Sequence, residues 1–156
     1  MLDAVIALVR DVAREQIMPR YLRVAHSRKA DGSLCTEADI AAQEMLATGL
    51  DRIYHAPIVA EEMTPGEQAE QWLAGESGLW CVDPVDGTNN FVNGLPYFAV
   101  SVALLRGGRS VLGVVYDPVA DEMFCAEHGR GAWLNGERLP IKTYVPTLKN
   151  SMAGVN

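Results

Sequence analysis

Apolar residues recur at helical spacing from the start of the chain, at Leu2, Val5, Ile6, Leu8, Val9, Val12, Ala13 and Ile17, until Pro19 interrupts the pattern. This periodicity predicts a first helix over about 2–18. Thr36 stands before Glu37 and Asp39 as an N-cap followed by an acidic first turn, so a second helix is expected through the Ala/Leu/Met-rich stretch to about Leu50. Lys29-Ala30-Asp31-Gly32-Ser33, between the two, has turn composition and reads as a mobile loop or hairpin tip.

From Ala56 the pattern changes to short apolar runs. Pro57-Ile58-Val59-Ala60 and Leu79-Trp80-Cys81-Val82 are each followed by acidic residues, with a polar, Gly-containing connection between them. Phe98 to Leu105, Val111 to Tyr116 and Glu122 to Ala126 alternate as strands of an antiparallel meander, turning at Arg106-Gly107-Gly108-Arg109 and at Asp117-Pro118. Asn135-Gly136 predicts a further hairpin with a type I′ turn. The final Ser151-Met152-Ala153-Gly154-Val155-Asn156 reads as the opening of another strand, as if the chain stopped partway through a larger unit. Helices first and strands afterwards imply an α+β architecture, with two N-terminal helices packed on a largely antiparallel sheet.

Composition narrows the function classes. A chain of 156 residues, 49% apolar and 21% charged, is an ordinary globular sequence with one core. Its net charge of −7 argues against a nucleic-acid or anionic-membrane partner, and an anionic substrate would need cations to offset it. Asp3 lies where a secretory signal would be basic, so a cytoplasmic location is expected. Cys35, Cys81 and Cys125 form no paired motif, and Cys81 is expected to be a small buried hydrophobe. His26, His55 and His128 are read as surface residues, Trp72, Trp80 and Trp133 as packing residues, and Glu67 and Glu70 as part of a charged loop.

The chemistry concentrates in Trp80-Cys81-Val82-Asp83-Pro84-Val85-Asp86-Gly87-Thr88-Asn89-Asn90-Phe91. Asp83 and Asp86 are expected on a turn directly after a buried strand, their separation partly set by the restricted φ of Pro84. Rigid carboxylates suit Mg²⁺, with the Val85 carbonyl a further oxygen ligand. Gly87 leaves its backbone open, so that its N–H and that of Thr88 can face a phosphate, and the Thr88 hydroxyl can orient a water. Glu61-Glu62 is the candidate for bringing another carboxylate to the same rim. Taken alone, Asp-Pro-x-Asp-Gly is a common turn string, and Glu61-Glu62 a solvated strand end; a Ca²⁺-stabilised loop is a third reading.

Taken together, these segments resemble the inositol monophosphatase family of Mg²⁺-dependent, lithium-sensitive phosphatases. The likeness runs in order through residues 29–33 with Thr36-Glu37-Ala38-Asp39, Glu61-Glu62, Asp83 to Thr88 with Asn90-Phe91 and Pro96, then Gly113 to Pro118 and Gly131 to Gly136. The resemblance implies the N-terminal part of a layered αβαβα sugar-phosphatase fold, with residues 1–156 forming the metal-binding portion and the family's C-terminal α/β part absent. It implies hydrolysis of a small phosphate monoester, an inositol, sugar or nucleotide phosphate, by metal-activated water. The alternative is a catalytically incomplete half-domain that binds metal or a partner chain without turnover.

Residue by residue, the resemblance assigns Glu61, Asp83, the Val85 carbonyl and Asp86 to two or three Mg²⁺ ions. Thr88 and Glu61 would position and deprotonate the attacking water, Asp86, Gly87 and Thr88 would contact the substrate, and Glu62, Thr36 and Asp39 would support these groups. A small phosphorylated metabolite and a second copy of the chain are the implied partners. Ala60, Cys35 and Asn89 stand where the family commonly has Gly, Val and Thr.

Overall fold

The computed structural model describes residues 1–23 and 34–140, together with the backbone of 26–28. The expected loop at 29–33 and the expected strand opening at 151–156 lie outside the described residues.

The first helical stretch comprises α1 (Leu2–Val12) and a π-helical turn over Ala13–Ile17. Val5, Val9 and Val12 fall on one face and are fully buried, as the 3.6-residue period requires. A two-stranded antiparallel hairpin follows, β1 (His26–Arg28) with β2 (Leu34–Thr36). It leads directly into α2 (Glu37–Ile53). Thr36 caps that helix as expected: its hydroxyl accepts from Ala38 N and Asp39 N, and the Asp39 carboxylate accepts from Thr36 N at 2.8 Å, forming a reciprocal capping box. Ala38, Ala42, Leu46 and Leu50 recur every fourth residue and are completely buried.

The main sheet has seven strands in sequence order: β3 (Ile58–Ala60), β4 (Leu79–Asp86), β5 (Ala99–Arg106), β6 (Arg109–Asp117), β7 (Glu122–Glu127), β8 (Gly131–Leu134) and β9 (Glu137–Arg138). Only the β3–β4 pair is parallel. Period-two alternation sends Val100, Val102 and Leu104 of β5, Leu112, Val114 and Tyr116 of β6, and Met123 and Cys125 of β7 into the core beneath the helices. Their partners across the ladder match face for face: Val102 is opposite Val114, and Val114 is opposite Cys125. The expected α+β arrangement is the one observed. Asn135 and Gly136 both have positive φ, +50° and +85°, as a type I′ hairpin demands. Among the described residues no helix is long and apolar enough to cross a membrane.

Three expectations need correction. The connection read as a charged loop contains α3 (Pro65–Ala74), started by a second capping box between Thr64 and Glu67. None of its residues is buried, so it carries no apolar stripe for a periodicity reading to find. On it Trp72 is 55% exposed and is not a packing residue, unlike Trp80, which is fully buried and donates its indole N–H to Tyr54 O at 3.0 Å. Cys81 is half-buried rather than buried, lying on the face of β4 opposite to Trp80 and Val82.

Candidate active site

The acidic groups reach a common cavity through backbone register. In the parallel pair Ala60 is opposite Val82, and Glu61 N continues the ladder by donating to Val82 O at 3.2 Å. Glu61 therefore leaves β3 beside the position where Asp83 leaves β4.

Asp86 is brought to the same place by an irregularity. On regular strands residues three apart point to opposite faces. Between β4 and β5, however, Asp83 is opposite Ser101 while Asp86 is opposite Ala99, three steps on one strand against two on the other. The extra residue is a β-bulge, and it returns Asp86 to the side that Asp83 occupies. Pro84 falls in this irregular segment, where a missing N–H costs the ladder least. Asp83 and Asp86, expected on a turn after the strand, thus lie within the strand itself, and the bulge rather than a turn sets their separation.

Gly87 then reverses the chain into α4 (Thr88–Val92). Its φ of +96° is a conformation that L side chains rarely adopt, and a Cβ there would stand 3.0 Å from Tyr97 O and 3.3 Å from Phe98 Cα. Both neighbours are backbone and cannot swing aside. Gly87→Ala is expected to lower stability by about 1–3 kcal/mol, read as a shifted urea midpoint; an unchanged midpoint would show that this corner is not constrained.

Glu61, Asp83, Asp86, Gly87, Thr88, Asn89 and Leu34 line one cavity of about 250 Å³. Asp83 lies beside Glu61 and accepts a hydrogen bond from Val85 N at 3.2 Å. Burial, reinforced by the neighbouring charges of Glu61 and Asp86, pushes the Asp83 carboxyl up to about 8. Such mutual repulsion is what a divalent cation relieves, and an all-oxygen donor set of carboxylates and a carbonyl is the chemistry Mg²⁺ prefers. The residues fit the ion. As they stand, no three acid, imidazole or thiol groups among the described residues are gathered closely enough to hold one.

Thr88 is buried, and its hydroxyl lies 3.1 Å from Asp39 Oδ1 and 3.0 Å from Val85 O. One hydroxyl hydrogen serves two acceptors, so an oxygen lone pair remains to accept from a water in the cavity. Val85, expected to offer its carbonyl to a cation, has one lone-pair direction engaged by Thr88 and a second left over. Asp39, completely buried, spends its other oxygen on Thr36 and so joins the α2 cap to the site. Burial, with the nearby charge of Glu62, holds its carboxyl above the ordinary range, against the opposing hydrogen bonds from Thr36 and Thr88. Glu62, expected behind the ligands, carries charge near Asp39, and its N–H donates to Gln43 Oε1 at 3.1 Å.

The structure therefore brings together Glu61, Asp83, Asp86, Gly87 and Thr88 on one cavity, with Val85, Asp39, Thr36 and Glu62 around them. Asp39, expected to support the site groups, does so through a bond to Thr88 that the sequence reading did not name. Its place at the third position of a capping box was the available signal, since a box engages only one of the two carboxylate oxygens. Neither His55 nor His128 lines this cavity: His55 is exposed and paired with Asp51 at 2.6 Å, and His128 is exposed. The side chain of His26 lies outside the described residues.

The sequence profile of the inositol monophosphatase family matches residues 1–155. The chain belongs to the inositol monophosphatase family. It is similar to the Nus factor SuhB of Pseudomonas aeruginosa, with 46% identity over 108 residues, 68% of this chain and 38% of that protein. It is 37% identical to inositol monophosphatase 2 of Solanum lycopersicum over 77% of this chain and 45% of that one. Among solved structures, the IMPase of Thermotoga maritima superposes with a TM-score of 0.79 at 37% identity, covering 90% of this chain and 53% of that chain. An IMPase/NADP phosphatase solved with Mg²⁺ and phosphate superposes at 0.69 with 25% identity, over 85% of this chain and 48% of that chain. The chain spans less than half the length of the curated relatives it matches.

Proposed function

We propose that this family member hydrolyses a small phosphate monoester with the help of Mg²⁺. The observation that carries the reading is the convergence of Glu61, Asp83 and Asp86 on one cavity with Gly87 and Thr88. When bound, the cation offsets phosphate charge, acidifies water and stabilises the leaving oxygen. Glu61, Asp83, Asp86 and the Val85 carbonyl would hold it.

The remaining work falls to the chain's own groups. Gly87 presents backbone without a side chain, so a phosphate can approach it closely. Thr88 accepts a hydrogen bond from the attacking water and thereby orients it, while Asp39 fixes the Thr88 hydroxyl from behind. Glu61 is the carboxylate on the same wall that takes the water's proton as its oxygen bonds to phosphorus. The ester P–O bond breaks opposite the attacking oxygen, and the leaving alcohol regains a proton from solvent. Leu34, buried at 6% exposure, closes one wall of the cavity with an apolar surface.

The test is Mg²⁺-dependent release of inorganic phosphate from inositol monophosphates, fructose bisphosphate, phosphoadenosine phosphate and histidinol phosphate. Turnover of at least one ester, lost on removal of Mg²⁺ and lowered at least a hundredfold in Asp86→Asn, is expected. Hydrolysis of none, or an Asp86→Asn variant equal to wild type, contradicts the reading. A second reading is a chain that takes up the cation without turning over an ester. Metal binding without phosphate release would establish it.

A further inference from the structure

Three carboxamides lie on or beside α4, and two of them are spent on the scaffold. Asn90 Nδ2 donates to Tyr97 O at 2.7 Å, tying the following loop to the helix, and Asn93 Nδ2 donates to Asn89 O at 2.7 Å, closing the helix end. The Asn89 carboxamide has no such duty. It is exposed, and among the described residues no hydrogen bond engages its side chain.

Its position is specific. The carboxylate cavity of about 250 Å³ abuts a second, larger one of about 740 Å³, and the residues that line both are Asp86, Gly87 and Asn89. Glu61 and Thr88 line only the smaller. Ala99, Val115 and Phe124 give the larger cavity apolar wall, while Asp117 and Glu122 are acidic, and no Lys or Arg among the described residues lines it. A phosphate held at Gly87 with its attacking water on the Glu61 and Thr88 side must expel the leaving group the opposite way, because displacement at phosphorus is in line. That way passes Asn89 into the larger cavity.

We infer that Asn89 is a specificity-determining residue, whose carboxamide hydrogen-bonds a hydroxyl of the leaving group as it extends into the larger cavity. The inference rests on the phosphatase reading and goes beyond it in naming the group that reads the alcohol. An amide suits this role because it offers two donors and an acceptor to one hydroxylated neighbour. A site built to pair with a hydroxyl discriminates against the analogue that lacks it, since the site's own polar group is then left unpaired.

The test compares inositol monophosphate with cyclohexyl phosphate, which has the same ring and no hydroxyls, in wild type, Asn89→Ala and Asn89→Gln. For Asn89→Ala the ratio of the two kcat/KM values, inositol over cyclohexyl, is expected to fall about tenfold, with Asn89→Gln restoring part of it. A ratio unchanged in Asn89→Ala overturns the assignment, because damage to α4 would lower both substrates together. Calorimetric binding of the same two esters, with Ca²⁺ in place of Mg²⁺, separates this from failure of the phosphatase reading. Wild type that binds inositol monophosphate but hydrolyses nothing contradicts turnover alone, and the Asn89→Ala affinity loss is still expected. Equal affinity of wild type and Asn89→Ala, or no binding by either, overturns the role of Asn89.

Discussion

Asp83→Asn is expected to raise the melting temperature of the cation-free protein at pH 8 by a few degrees, while removing the stabilisation that Mg²⁺ gives to the native chain. The reason is the crowding of acids around Asp83. Its carboxyl ionises only near 8 in the folded protein, because burial and the charges of Glu61 and Asp86 oppose ionisation, whereas an unfolded chain ionises it near 3.9. Between these values the folded state holds a proton that the unfolded state has lost. Stability therefore falls as pH rises from about 4 to about 8, the opposite of the usual salt-bridged aspartate. Asparagine keeps an oxygen to accept Val85 N and carries no charge. Its benefit should be near zero at pH 4 and largest at and above pH 8, as thermal melts across that range would show. A variant that is less stable than wild type at every pH would mean that the Asp83 charge is not opposed by its neighbours.

Thr88→Ala should lower kcat by about a hundredfold or more and also cost stability, by about 1–3 kcal/mol. Both effects come from one hydroxyl. Removing it takes away the group that orients the attacking water, and it leaves the buried Asp39 Oδ1 without its donor from α4. Thr88→Ser keeps the oxygen and is expected to retain most of the activity and stability. Turnover and urea denaturation of the two variants check the pair of claims. Equal losses in alanine and serine variants would assign the role to the threonine methyl group instead.

The parts of this molecule that rest on local pattern were legible in the sequence. The fourfold spacing of Ala38, Ala42, Leu46 and Leu50 and the Thr36 cap set α2, and alternation along β5, β6 and β7 set the meander. The composition of the site was legible too, since the family's ordered segments carry its acids. Its geometry was not. Nothing in Asp83-Pro84-Val85-Asp86 announces that the ladder against Ser101 and Ala99 loses a step, yet that bulge is what turns Asp86 to the side of Asp83. The pairing of Ala60 with Val82, which sets Glu61 beside Asp83, joins segments separated by α3 and depends on parallel register. The bond between Asp39 and Thr88 spans 49 positions and has no local signature. For α3 the difficulty was different: it is held by a cap at Thr64 and Glu67 without a buried face, so only Thr64-Pro65-Gly66-Glu67 could have signalled it.

The proposed function thus depends on a destabilising feature. Three acids on one small cavity cost the cation-free protein stability at neutral pH, and the same crowding creates the demand for a divalent ion.

The most direct measurement is a calorimetric titration of the cation-free protein with Mg²⁺ at pH 7, repeated in two buffers of different ionisation enthalpy. Displacement of the proton that Asp83 holds below about pH 8 predicts saturable binding with net proton release, and affinity that rises as the pH is taken from 6 to 8. Absence of binding, or binding with no proton released and no pH dependence, would contradict the shared-cation cavity on which this account rests.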